Sequence, residues 1–272
     1  MAEKLLTVEW VAEHGGDENV RLVEVDVDID AYGEGHIEGA IGWNWTTQLQ
    51  DQTRRDILTK RALEELLSAS GIGNETHVVL YGDNNNWFAA YALWLLEIYG
   101  HEQVSLMDGG RVKWLAESRP TTQAEPAVAA ASYSAQDADM SLRAMRDDVL
   151  QAVSGGVQLV DVRSPAEFNG EVIAPPGMSE TAQRAGHIPG ATSMPWARAV
   201  NEDGTFRSVA ELKKLYAGVG LADASTIAYC RIGERSSHTW FVLKHLLGYG
   251  DVKNYDGSWT EYGSLIDVPI EK

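Results

Sequence analysis

The chain has 272 residues, 44% of them apolar, which is ordinary for a globular protein with a sizeable core and fits one large or two modest domains. No run approaches the ~20 apolar residues of a membrane span, and the opening Met1-Ala2-Glu3-Lys4-Leu5-Leu6-Thr7 lacks a signal peptide's apolar core. A net charge of −18 argues against nucleic acid or an anionic membrane as main partner, and a single cysteine rules out an internal disulfide and fits a reducing cytoplasm.

In chain order, the pattern predicts a short helix over about Thr7 to His14 and a buried strand over Arg21 to Val25. A loop follows, with Gly35-His36-Ile37-Glu38-Gly39-Ala40-Ile41. A helix over Thr59 to Ala69, a central strand over Val78 to Tyr81, a helix over Trp87 to Tyr99 and a last strand over Val104 to Met107 come next. The succession then returns: a helix over about Ser141 to Val153, a strand over Gln158 to Val162, and the loop Gly186-His187-Ile188-Pro189-Gly190-Ala191. The capping-box pattern Ser208-Val209-Ala210-Glu211 opens the next helix. A strand over Thr226 to Tyr229, a helix over Ser237 to Leu247 and a strand over Val252 to Tyr255 complete it. Leu22-Val23-Glu24-Val25-Asp26 reads like Leu159-Val160-Asp161-Val162-Arg163, Trp45 like Trp196, and Val79-Leu80-Tyr81-Gly82 like Ile227-Ala228-Tyr229-Cys230. The spacing is far too long for a solenoid, so a whole domain is duplicated.

Strands alternating with helices predict an α/β fold with a largely parallel sheet in each copy. The copies are expected at 1–117 and 141–272. Between them, 118–140 is rich in Pro, Thr, Ala and Gln without a clear period and reads as a linker. An insertion in the second copy, about Asn169 to Arg184, carries Pro175-Pro176-Gly177. It is read as either a functional loop or surface decoration.

The chemistry centres on Tyr229-Cys230-Arg231-Ile232-Gly233-Glu234-Arg235-Ser236-Ser237-His238. It places the only cysteine at a strand end, on a short loop that opens a helix. Backbone N–H groups converge there and stabilise an anion. With Arg231 and Arg235 beside it, the thiol is expected to have a lowered pKa and nucleophilic character. A merely space-filling cysteine is the alternative, but a packed core does not call for two arginines and a glutamate right after the thiol. His36 and His187 recur in both copies and are read as structural. The seven histidines show no ligand spacing, so neither metal nor cofactor is expected.

Taken together, Asp161-Val162-Arg163, Gly186-His187-Ile188-Pro189-Gly190-Ala191, Cys230-Arg231-Ile232-Gly233-Glu234-Arg235-Ser236 and Tyr255-Asp256-Gly257-Ser258-Trp259 resemble a tandem rhodanese, a sulfurtransferase of the thiosulfate class. The resemblance covers nearly the whole chain. It implies two tandem domains, each a mostly parallel five-stranded sheet flanked by helices. The first would be catalytically silent, because Gly82 stands where the second has Cys230. It further implies that Cys230 takes the outer sulfur of thiosulfate as a persulfide and passes it to cyanide, a thiol or a thiol protein. Arg235 is the first choice for holding the donor's sulfonate and Arg231 the second. The loop residues Ile232, Gly233, Glu234 and Ser236 would cradle the sulfur. Asp161, Arg163, Ser237, Arg184 and Trp87 are read as supporting.

The rivals are weighed on the same loop. Cysteine phosphatases place an arginine six positions after the nucleophile. Here that position is Ser236, and the arginine falls one residue earlier, at Arg235. Relatives that use 3-mercaptopyruvate resemble a smaller, less charged loop, so the arginines favour thiosulfate. Two features depart from thiosulfate-using relatives: Ile232 stands where some have a basic residue, and Glu167 falls near a second substrate-binding arginine. A protein sulfur carrier would use the same loop. A non-catalytic scaffold would need neither the thiol nor the arginines.

Overall fold

In the computed structural model, which describes residues 3–175, 177 and 181–272, the chain forms two units. Unit 1 comprises residues up to Asp139 together with Glu202–Phe206; unit 2 comprises Met140–Asn201 and Arg207–Lys272. Pro176, within the loop that sequence reading singled out, lies outside the described residues.

Unit 1 is built on five parallel strands: β1 (Leu5–Leu6), β2 (Val20–Asp26), β3 (Ile41–Asn44), β4 (His77–Tyr81) and β5 (Val104–Met107). Their order is β1-β5-β4-β2-β3. The central strands are near-continuous apolar runs, as a parallel sheet covered on both faces requires. Val23, Val79 and Leu80 are wholly buried. Helix α1 (Lys60–Ala69) is opened by Thr59, whose side chain accepts from the Ala62 N–H. Helix α2 (Trp87–Ile98) is apolar on nearly every side and buried from Phe88 to Leu96.

The 118–140 stretch is not a free linker. Residues up to Asp139 are laid along unit 1: Thr122 exchanges backbone hydrogen bonds with His36, Ala131 N–H donates to Ser68, and Asp139 N–H to Ile98. Tyr133 is buried against His101, with ring centroids 5.5 Å apart. The stretch lacks a period because it is held through its backbone, which leaves no pattern in side chains.

Among the described residues, unit 2 carries four parallel strands, not five: β6 (Gln158–Asp161), β7 (Thr192–Ser193), β8 (Thr226–Tyr229) and β9 (Val252–Tyr255), in the order β7-β6-β8-β9. Where unit 1 pairs β1 with β5, unit 2 has one isolated parallel bridge, Arg143 with Asn254. The reason is local. A 3-10 turn ends at Leu142 and a helix begins at Arg146, with the Met145 N–H already donating to Asp148, so no extended run remains. Two short helices follow: α3 (Pro165–Phe168), with Ser164 and Glu167 as its capping box, and α4 (Val209–Ala217), with the Ser208–Glu211 box read from the sequence. Helix α5 spans Glu234–Phe241 and continues as a single π turn over Val242–Leu246. It starts three residues earlier than the pattern indicates, which brings Glu234 and Arg235 into its first turn.

Candidate active site

Cys230 follows β8 directly, on a three-residue loop closed by Gly233. Gly233 has φ +104, in the region that only glycine enters freely, and a Cβ there would sit 2.8 Å from the Asp256 Cα. The loop therefore folds tightly against the end of β9. Asp256 is itself gripped by Arg143, through Nε at 2.8 Å and a second nitrogen at 2.9 Å.

The sulfur is fully buried. The Gly233 N–H donates to Sγ at 3.2 Å, and the Ser236 Oγ lies 3.5 Å away, while its shortest bond goes to Asn254 Oδ1 at 2.6 Å. The thiol points at the Glu234 carboxylate, Sγ to Oε2 3.2 Å. Burial pushes the thiol pKa up, and the Glu234 charge pushes it further; Arg235 and the hydrogen bonds from Ser236 pull the other way without prevailing. That direction is opposite to the lowered pKa expected from the sequence. The reason is burial first, and second the Glu234 carboxylate of the same loop.

Arg235 is 4% exposed and holds Glu167, itself 0% exposed, through two nitrogens at 3.0 and 3.1 Å. Its Nε lies 3.5 Å from Glu234 Oε1. Burial alone would raise the Glu167 pKa, but the Arg235 pairing and the Ser164 hydrogen bonds hold it below the usual range. The first choice for holding the sulfonate is thus paired with Glu167 in this structure.

The other expected residues have varied surroundings. Arg231 and Ile232 are buried in the loop. The Ser237 hydroxyl donates to the Gly233 carbonyl at 2.7 Å and so braces the loop, not the sulfur. Asp161 and Arg163 form a buried bidentate pair at the end of β6, with Arg163 also donating to the Gly186 carbonyl and lying 4.6 Å over the Trp259 ring. Arg184 is not an anion ligand here. Its guanidinium donates to the carbonyls of Gly263, Val268, Tyr262 and Leu265 and pins the C-terminal segment. Trp87 belongs to unit 1, where it opens α2. His238 is fully buried in α5, and burial holds its pKa down to about 3, so it is neutral at physiological pH. The repeated histidines donate to backbone: His36 to Tyr32 and His187 to Phe168, each stacked on that residue's ring.

Two contributors were hidden in the sequence. The Ser258 Oγ accepts from the Cys230 N–H at 3.0 Å and lies 4.0 Å from Sγ. Its only signal was its place in the Asp-Gly-x-Trp motif. Asn254, buried on β9, donates to Ser237 Oγ and accepts from Ser236; nothing in a strand residue announces that. Among the described residues no group of His, Cys, Asp or Glu is arranged to hold a metal ion.

In unit 1 the matching loop is rebuilt. Gly82 replaces the cysteine, and a Cβ there would meet the Val25 carbonyl oxygen at 2.3 Å. Asn84, Asn85 and Asn86 all take positive φ, and Asn86 closes the turn by accepting from the Gly82 N–H and donating to Met107.

The profile of the rhodanese-like domain matches residues 7–117 and again 145–265. A relative from Haloferax volcanii named "Putative thiosulfate sulfurtransferase" is 57% identical, over 98% of this chain and 96% of its own. "Sulfur carrier protein TtuD" from Thermus thermophilus is 51% identical, over 99% and 97%. Among solved structures, the 3-mercaptopyruvate sulfotransferase SseA from Escherichia coli aligns with TM-score 0.79 at 26% identity, over 95% of this chain and 99% of its own. By sequence profile, full-length relatives and fold, the chain belongs to the rhodanese-like family, whose domain it carries twice.

Proposed function

We propose that the protein is a sulfurtransferase that moves the outer sulfur of thiosulfate to a thiophilic acceptor, cyanide or a thiol, through a persulfide on Cys230. The observation that carries this reading is the placement of the chain's only thiol at the end of β8, with the Gly233 N–H directed at it, while the duplicated unit has glycine at the matched position. The full-length relative named for thiosulfate sulfur transfer supports it. The sulfur attacks the outer sulfur of the donor, sulfite leaves, and the acceptor takes the terminal sulfur in a second displacement. The Gly233 N–H and the start of α5 stabilise the anionic persulfide. Arg235 is the cation nearest to hand for the donor's sulfonate, in competition with Glu167. A single thiol fits a reducing compartment such as the cytoplasm.

The second reading, a sulfur carrier serving another protein, is favoured by the Thermus thermophilus relative and uses the same persulfide. Intact mass spectrometry under non-reducing conditions tests both. Thiosulfate is expected to add one sulfur, about 32 Da, reversed by cyanide and absent in Cys230→Ser. An adduct formed with 3-mercaptopyruvate and not with thiosulfate would change the donor. Slow turnover with small molecules but fast exchange with a thiol protein would favour the carrier.

A further inference from the structure

The thiol of Cys230 has a proton to lose before it can attack, and one group is placed to take it. Glu234 is the first residue of α5, 2% exposed, and its Oε2 accepts the Sγ–H bond at 3.2 Å. His238, one helical turn further on, is too buried to hold a proton at neutral pH. The charged groups facing the pair are Arg235, 3.5 Å from Glu234 Oε1 with Glu167 on its far side; Asp256 with Arg143, against Gly233; and Arg231 within the loop.

We propose that Glu234 is a catalytic residue that stores the Cys230 proton through the sulfurtransfer cycle: it takes the proton as the sulfur attacks and returns it when the persulfide is discharged. The inference rests on the persulfide chemistry proposed above. In the first step the S–H bond breaks, its proton passes to Oε2, and its electron pair forms the new S–S bond. The donor's S–S bond breaks with its pair leaving on sulfite. The enzyme then holds an anionic persulfide beside a neutral carboxylic acid. In the second step cyanide takes the terminal sulfur as thiocyanate, the bonding pair returns to Sγ, and the proton returns from Glu234. The pair carries one negative charge in both covalent states. A buried site is thereby spared two adjacent anions, which a low-dielectric interior strongly disfavours.

The full chain, as wild type, Glu234→Gln and Glu234→Asp, tests this with two readouts. Alkylation of Cys230 by iodoacetamide, followed between about pH 5 and about pH 10, reads the ease of thiol ionisation without any sulfur donor. Quenched single-turnover mass spectrometry with thiosulfate reads sulfur transfer. In Glu234→Gln the alkylation midpoint is expected to fall by about one pH unit, because the neighbouring like charge is gone. Persulfide formation is nevertheless expected to slow by about a hundredfold, because the proton acceptor is gone as well. A loop that had merely loosened would not make the thiol ionise more easily and react more slowly. Glu234→Asp keeps the carboxylate and should fall between; it also serves if the glutamine variant does not fold. An unmoved midpoint, or sulfur transfer at the wild-type rate, overturns the proposal. If thiosulfate leaves the wild type unmodified, the thiosulfate reading fails, and the alkylation midpoint alone decides the role of Glu234.

Discussion

The behaviour of Arg235 turns on a partner sixty-odd positions away. In the linear motif it reads as an open guanidinium fork beside a thiol. In the folded protein Glu167 fills that fork with two hydrogen bonds, and both side chains are buried. If Arg235 holds the donor's sulfonate, as proposed, the sulfonate must displace this carboxylate, and Glu167 would set how readily a dianionic donor is accepted. Glu167→Gln is expected to lower KM for thiosulfate several-fold. It should also lower stability by about 3 kcal/mol, since it leaves a buried charge with one fewer counter-ion. Steady-state kinetics and denaturant titration check the two halves; a raised KM would show that Glu167 helps Arg235 hold the donor. Cys230 teaches the same lesson. Counting arginines in the loop points to an acidic thiol, whereas burial, with the Glu234 charge second, pushes its pKa up.

At the level of elements, the two copies keep the same brace with different parts. In unit 1 the buried Glu24 at the end of β2 pairs with Arg111 at 2.8 Å, and Arg111 also donates to the Gly35 carbonyl. In unit 2 Asp161 pairs with Arg163, which donates to the Gly186 carbonyl. Each arginine ties a carboxylate of the strand to the glycine that opens the Gly-His-Ile motif, yet the two come from unrelated positions. The tyrosines match as well: the hydroxyls of Tyr81 and Tyr229 accept from the Ile37 and Ile188 N–H groups. The nucleophile loop is where the copies diverge, because its backbone was rebuilt around Asn86 and Gly82. Restoring a thiol there should not restore chemistry. Gly82→Cys is expected to cost about 2 kcal/mol through its clash with Val25. Combined with Cys230→Ser it should yield no thiosulfate-dependent persulfide by intact mass; an adduct would show that the first copy lacks only its sulfur.

Over the whole molecule the net charge of −18 opposes an anionic donor, while the cations that could receive it are local and largely matched. Salt screens the long-range repulsion before it weakens a buried pair. Between about 20 mM and about 200 mM salt, kcat/KM for thiosulfate is therefore expected to rise, by roughly two- to tenfold. A neutral acceptor thiol should show little change. A falling kcat/KM for thiosulfate would mean that an attractive field outweighs the global charge.

The duplication and the alternation of strands and helices could be read along the chain, and so could the loop that carries the candidate nucleophile, because each is written in neighbouring residues: apolar runs, capping boxes and a compact loop motif. The fourth-versus-fifth strand of unit 2, the course of 118–139 and the capture of Arg184 by C-terminal carbonyls could not. They depend on backbone groups, which every residue carries alike. The electrostatics of the site lay equally out of reach. Glu167 with Arg235, Arg143 with Asp256, and Ser258 and Asn254 around the loop meet only after β6, β8 and β9 are in register and α3 and α5 are in place. Residue types and their spacing establish which nucleophile is available. Whether it rests as thiol or thiolate is a balance of burial and neighbouring charge, and that balance exists only once distant segments have been brought together.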